Sequence, residues 1–191
     1  TRQGTRGAVM SCITQAAFRV GHKFAKRSFL WNVRLELGDL HPKQPIDYQV
    51  ALIKKLGVEF EEIAPSVHIP ESAHTKADKL LLSEGIDPHE SFCILHPGAK
   101  PYDRWEAEKF AQLADRIYAQ YQLKTLWTCG QGQESMVDNI TPKIKNAPYA
   151  FICTNLETLG AITQKSQFVV CHDGGYMHFA SALGVPVVGL F

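Results

Sequence analysis

An α/β fold, a parallel sheet with helices on its faces, is the architecture this sequence predicts, and three observations carry it. From about residue 91, short β-rich apolar runs alternate with amphipathic helical stretches, the pattern of consecutive β-α units. The run Phe168-Val169-Val170-Cys171 is apolar at every position, as a strand covered on both faces must be. Three of the runs end in turns that glycine or proline breaks, at His96-Pro97-Gly98, Gly130-Gln131-Gly132 and Asp173-Gly174-Gly175.

The elements follow in order. Phe92-Cys93-Ile94-Leu95 is the first strand of the series, ending at His96. Ala107, Phe110, Ala111, Ala114, Ile117, Tyr118 and Tyr121 recur at three- and four-residue spacing, which predicts one apolar stripe of a helix. Residues 123–129 read as a second strand, 134–145 as a helix, 149–153 as a third strand, and Leu156, Leu159, Ile162 and Thr163 as a short helix. The fourth strand ends at Cys171, a helix covers 177–183, and 185–191 is a fifth strand with Pro186 near its start. Right-handed β-α-β connections place the strand ends at His96, Cys129, Cys153 and Cys171 on one edge.

The part before residue 91 is less regular. Helices are expected over 8–18 and 46–56, flanking a basic, aromatic-rich segment over 19–34. Pro65, Ser66, Pro70 and Ser72 mark 61–75 as the best candidate linker, and a helix over 73–84 leads into the sheet. The division expected is 1–65 as the end of a preceding domain, 66–90 as linker and connecting helix, and 91–191 as the sheet domain. The chain opens on Thr1 within an ordinary domain pattern and stops after a strand, so it is expected to belong to a longer protein.

Composition limits the function. A hydrophobic content of 45% supports a globular core, and 20 Lys+Arg against 19 Asp+Glu leaves no basic excess to steer the chain to nucleic acid, so any anion site must be local. Cys12, Cys93, Cys129, Cys153 and Cys171 lie far apart with no C-x-x-C pair, so no zinc or redox site is expected; all five read as structural thiols in a reducing cytoplasm. No stretch of about 18 apolar residues exists, and the first residues lack the apolar core of a secretory signal. No G-x-G-x-x-G follows a strand, which argues against a nicotinamide-dependent oxidoreductase.

Asp173-Gly174-Gly175-Tyr176-Met177-His178 lies between a buried strand and a helix, at the edge where open α/β sheets gather ligands. A helix N-terminus offers unpaired N–H groups and partial positive charge to a phosphate, and two glycines let backbone approach it closely. His178, one turn into the helix, either adds to the same anion site or is an ordinary surface histidine. Thr154-Asn155 either touches nucleotide or caps the next helix. Trp105 reads as a packing residue at the start of a helix. Arg19, His22, Lys23, Lys26, Arg27 and Arg34, interleaved with Phe24, Phe29 and Trp31, form either a solvated basic face or a contact for an acidic lipid or sugar-phosphate at a membrane surface.

These residues resemble the heptosyltransferases of glycosyltransferase family nine, whose donor domain has an Asp-(Ser/Thr)-Gly-x-x-His element followed by Ala-x-Ala-Leu-x-x-Pro and an apolar strand. The match here reads Asp173, Gly174, Gly175, His178, Ala180, Ala182, Leu183 and Pro186. Upstream, His96-Pro97-Gly98-Ala99, Arg104-Trp105 and the Phe-Ala-x-Leu-Ala helix beginning at Phe110 agree as well, so the resemblance covers 91–191 well and the earlier part loosely. It implies a GT-B architecture of two Rossmann-like domains, with this chain carrying the donor half and the tail of the acceptor domain. It further implies inverting transfer of heptose from ADP-heptose, or a related nucleotide sugar, to a lipopolysaccharide core precursor. No metal or other cofactor is required, and the location implied is the cytoplasm, with peripheral contact at the inner face of the inner membrane.

Donor binding is thereby expected at Gly98, Ala99, Lys100, Arg104, Thr154, Asp173, Gly174, Gly175 and His178. The family's catalytic carboxylate has no counterpart here, since neither Asp39 nor Asp47 stands in a matching context. Asp103 occupies a position where relatives carry a phosphate-contacting lysine, which leaves Lys100 or Arg104 to supply the charge. Lys100 is the preferred substitute, with a solvated loop lysine as the other reading. The departure at Asp103 keeps two alternatives open: a degenerate nucleotide-binding relative without turnover, and another GT-B enzyme such as a sugar-nucleotide epimerase.

Overall fold

In the computed structural model, which describes residues 5–36, 47, 50, 51, 53, 54, 56–59, 64–98 and 104–191, the chain divides into two units, Thr1–Ile63 and Ala64–Phe191. The first unit opens on helix α1, Thr5–Ile13. It stops short of the expected residue 18 because local hydrogen bonds compete with the helix. The hydroxyls of Ser11 and Thr14 donate back to the carbonyls of Ala8 and Ser11, Gln15 turns left-handed at φ 53°, and the Ala17 carbonyl accepts from the Asn32 side chain.

Strands β1, Val20–His22, and β2, Val33–Leu35, pair in parallel with Val20 opposite Val33. The Arg19 guanidinium donates to the carbonyls of Leu30 and Ala16, and Lys23 pairs with Glu36, so these two members of the basic segment are engaged within the unit. Trp31 lies against Gly21 so closely that a Cβ there would fall 2.2 Å from the indole. Phe24 and Phe29 are exposed. Of the helix expected over 46–56, Asp47, Val50, Ala51, Ile53 and Lys54 are helical and Leu56 is in a turn.

The second unit begins with helix α2, Glu71–Ser83, which starts directly after Pro70 and therefore inside the stretch expected as linker. Proline suits that position, since its fixed φ of about −65° is compatible with the start of a helix and it has no N–H to lose. Ala73, Ala77 and Leu81 of α2 enter the core. Then follow β3 Phe92–His96, α3 Ala107–Tyr121, β4 Lys124–Thr128, α4 Glu134–Ile140, β5 Tyr149–Ile152, α5 Leu156–Lys165, β6 Val169–His172, α6 Gly175–Ala182 and β7 Val187–Leu190. Helix α4 ends five residues before the expected 145. Pro142 cannot continue the ladder, a 3-10 turn covers Thr141–Lys143, and the Asp115 carboxylate gathers the N–H groups of Lys145, Asn146 and Ala147. Helix α6 begins two residues earlier than the expected 177, and β7 is shorter at both ends than the expected 185–191.

All five strands of this sheet are parallel, in the order β5-β4-β3-β6-β7. Strand β3 is buried at every position, and its alternation divides two cores. Phe92 and Ile94 pack with α2, α5 and α6 on one face, whereas Cys93 and Leu95 pack with α3 and α4 on the other. Trp127, fully buried on the second face, satisfies its indole N–H on Thr125 Oγ1 at 3.2 Å. The chain runs from β3 out to β5, then crosses back to lay β6 on the other side of β3. The order of strands therefore reverses between β3 and β6, and their carboxyl ends flank the crevice where such sheets bind ligands. Among the described residues, no helix is long and apolar enough to cross a membrane.

Candidate functional site

At that edge lies an open pocket of about 700 Å³. His96 comes from the end of β3, Cys129 to Gln131 from the turn after β4, and Thr154 and Asn155 from the turn after β5. Leu156 and Leu159 of α5 face Gly175, Tyr176 and Phe179 of α6 across it. None of these side chains is an Asp, Glu, Lys or Arg, so the walls are apolar with a few polar groups at the strand ends.

Two histidines close β3 and β6 side by side, in a register that pairs His96 with Cys171. Both are buried. His96 Nδ1 lies 2.9 Å from Thr128 Oγ1, and its ring stacks on Tyr176 with centroids 4.2 Å apart. Burial, reinforced by the neighbouring His172, lowers its pKa to about 4, so the imidazole is neutral near pH 7. His172 Nε2 accepts the backbone N–H of Trp105 at 2.8 Å, which leaves that nitrogen unprotonated. The Tyr176 hydroxyl lies 2.9 Å from Thr163 Oγ1, which itself donates to the Leu159 carbonyl, so the phenol is the donor. Burial holds Tyr176 well above the usual phenol range.

The structure brings the Asp173 to His178 segment to the same edge. Gly175 is the first residue of α6, and the first backbone bond of the helix runs from His178 N–H to the Gly174 carbonyl, so the N–H groups before it have no intrahelical acceptor. A Cβ on Gly175 would meet nothing within 4 Å, and one on Gly174 only the His172 carbonyl at 3.9 Å. Packing therefore does not require these glycines; what they do is leave the helix end uncovered. Asp173 and His178 are exposed there.

Gly98 differs, because a Cβ on it would lie 2.7 Å from His96 Nε2 and 2.8 Å from Gln133 Oε1. Arg104 is exposed and precedes Trp105, whose N–H bond to His172 ties the start of α3 to the end of β6. The Trp105 indole packs edge-on against Phe110. Thr154 lines the pocket, while Asn155 caps α5 by accepting from Thr158 N–H at 2.9 Å. Ala99, Lys100, Asp103 and Asp39 lie outside the described residues. Asp47 belongs to the first unit.

His96, His172, Tyr176 and the Leu156-Leu159-Phe179 wall are the residues that sequence reasoning did not single out. One signal was present: each histidine is the last residue before a breaking turn, His96 before Pro97-Gly98 and His172 before Asp173-Gly174. The cysteines also depart from expectation. Cys93, Cys129 and Cys171 are buried, but Cys12 and Cys153 are exposed. Beside the pocket, the ligand atoms of Cys129, Glu134 and Cys153 lie within 4.8 Å of one another. Burial first, then the neighbouring Cys153, pushes the Cys129 thiol up to about 12.

The sequence profile of glycosyltransferase family 9 (heptosyltransferase) matches residues 3–191. The chain belongs to this family. Among relatives, it is 24% identical to the lipopolysaccharide core heptosyltransferase OpsX of Haemophilus influenzae, over 97% of this chain and 54% of that protein. The family 9 glycosyl transferase of Veillonella parvula superposes with a TM-score of 0.81 at 21% identity, covering 97% of this chain and 54% of the other. The ADP-heptose lps heptosyltransferase II of E. coli follows with a TM-score of 0.74 at 18% identity, covering 98% and 60%. The chain thus spans about half the length of the family 9 proteins it matches, and shares their fold over that span.

Proposed function

We propose that the sheet unit holds the nucleotide of a sugar donor, and that the protein transfers heptose from ADP-heptose, with inversion, to the inner core of lipopolysaccharide. The observation that carries this reading is the pairing, in one pocket, of an uncovered helix N-terminus with an apolar wall. Leu156, Leu159 and Phe179 offer the wall to the adenine, and the N–H groups at Gly175 are open to the diphosphate; on this proposal His178 and Arg104 add donors to it. Family membership supports it, as do the names of the H. influenzae and E. coli relatives.

In the reaction, an acceptor hydroxyl gives its proton to a general base and attacks the anomeric carbon as the bond to the diphosphate oxygen breaks, and ADP leaves with the electron pair. Helix dipole and N–H groups aimed at the departing diphosphate stabilise the charge that develops on it. On this reading residues 91–191 are the donor domain, 66–90 the linker and connecting helix, and 1–65 the end of the acceptor domain. The acceptor carries a lipid, so contact at the inner face of the membrane follows. Asp103 favours a second reading, a relative that binds nucleotide without turnover; ADP binding with no heptose transfer by the whole protein would select it.

Calorimetric titration of ADP into the wild type and His178→Ala tests the donor site. A hydrogen bond to a charged group is worth about 1.5–3 kcal/mol, so the variant should bind roughly 10–150-fold more weakly. Identical affinities, with binding measurable, would remove His178 from the site.

A further inference from the structure

We propose that Cys129, Cys153 and Glu134 form a site for one thiophilic divalent cation of the Zn2+ class at the rim of the pocket. The register of the sheet creates it. Thr128 of β4 pairs with Ile152 of β5, so the next residues, Cys129 and Cys153, leave adjacent parallel strands side by side. Strand spacing holds such neighbours about 4.8 Å apart along the backbone.

Glu134 reaches the pair from the first position of α4, after the turn through Gly132, whose left-handed φ of 78° reverses the chain. Its Oε1 accepts the Gly132 N–H at 3.1 Å and lies 3.4 Å from Cys153 Sγ. All three ligand atoms fall within 4.8 Å of one another. In a tetrahedral zinc site, Zn–S bonds of about 2.3 Å and Zn–O bonds of about 2.0–2.2 Å set the ligand atoms roughly 3.5–3.8 Å apart. The Cys153–Glu134 separation already lies close to this, and the others require a contraction of roughly 1.3 Å at most. Cys129 is buried, Glu134 is held by the Gly132 N–H, and Cys153 is exposed and gives the ion a way in.

The donor set decides the metal. Two sulfurs with one carboxylate favour Zn2+ or Cd2+ over Mg2+ or Ca2+, which take all-oxygen shells. Coordination releases the two thiol protons to solvent, Glu134 binds as the carboxylate it already is, and the fourth position is left to water. The site draws on residues 24 positions apart in sequence, which is why no C-x-x-C spacing announces it.

The test is a titration of the full chain, kept reduced, with Cd2+ alone, read by the thiolate-to-cadmium charge-transfer absorption in the ultraviolet. One equivalent per chain is expected, displaced by Zn2+. Cys153→Ser should lose about half the absorption and weaken binding by at least the 10–100-fold typical of disturbed metal shells, and Glu134→Gln should weaken it with the absorption kept. Cys153 is exposed, so its variant should melt with the wild type and isolate the ligand effect from folding. Cys12→Ser, in the other unit, should titrate as the wild type does. Absence of a charge-transfer band at stoichiometric Cd2+, or a band unchanged in Cys153→Ser, overturns the proposal.

Discussion

Replacing Gly175 with alanine separates what the fold asks of that position from what the ligand asks of it. Gly175 is helical, its φ lies outside the left-handed region, and a Cβ there meets nothing within 4 Å. On stability alone, Gly175→Ala should therefore gain about 0.4–1 kcal/mol by restricting the unfolded chain. At roughly 2–4 °C per kcal/mol for a chain of this size, Tm rises by about 1–4 °C. Binding should move the other way. A phosphate oxygen must come within about 2.9 Å of an N–H to bond it, and a methyl group on the first residue of α6 stands in the pocket it would use. Losing one such charge-assisted bond costs about 1.5–3 kcal/mol, or roughly 10–150-fold in ADP affinity. Calorimetric melting and ADP titration on the same two samples measure both. A variant that melts higher and binds ADP unchanged refutes phosphate binding at α6; one that melts several degrees lower refutes the open space at Gly175.

Gly98→Ala should act through packing instead. Its Cβ would press on His96, which is locked between Thr128 and Tyr176, and overpacking of this kind costs about 1–3 kcal/mol, read as a lower urea midpoint at unchanged slope. His96 should make stability pH-dependent: its folded pKa of about 4 lies below its unfolded 6.5, so the unfolded chain takes up the proton first as pH falls. The contribution is complete above pH 6.5 and is lost progressively down to about pH 4, by about 3 kcal/mol in all, and urea unfolding of His96→Gln at pH 7.5 and 5 should show a flatter profile than the wild type. If Asp103 faces the diphosphate, Asp103→Lys should tighten ADP binding at low salt and less so at high salt; if it points to solvent or pairs with Lys100 or Arg104, affinity should stay unchanged or fall, and an unchanged affinity at low salt would discard the repulsion.

The fold was legible where covering on both faces or one apolar stripe leaves a periodic trace. The apolar run at Phe168 to Cys171 and the stripe from Ala107 to Tyr121 correspond to β6 and α3, and the glycine-rich turns mark the strand ends to within one residue, β4 ending at Thr128 rather than Cys129 and β6 at His172 rather than Cys171. Helix ends were less legible because single side chains decide them. The hydroxyls of Ser11 and Thr14 end α1, and Pro142 with the Asp115 carboxylate ends α4. The place of Asp173 to His178 at the sheet edge could be read because a buried strand runs straight into glycines. The stack of His96 on Tyr176, and the meeting of Cys129 with Cys153, depend on strand order and register, which residue spacing along one segment does not encode. Local sequence announces a helix N-terminus, but not which side chains a crossover brings to face it.

On the proposed reading, that crossover also explains how a nearly neutral chain would hold a doubly charged group. The pocket lining carries no Asp, Glu, Lys or Arg, and burial keeps the His96 imidazole that lines it neutral. An imidazolium there would gain attraction to a phosphate, but it would sit beside His172, whose Nε2 is already committed as an acceptor to Trp105. Desolvation and the adjacent ring both oppose that charge, so His96 offers a ligand a neutral ring and no positive charge. On that reading charge recognition falls to the rim, where the α6 N-terminus would add dipole and N–H donors without placing a full charge in the protein interior. The two demands of a nucleotide, an apolar cavity for its base and donors for its phosphates, would thus be met by different elements. The reversal of strand order between β3 and β6 is what sets those elements side by side.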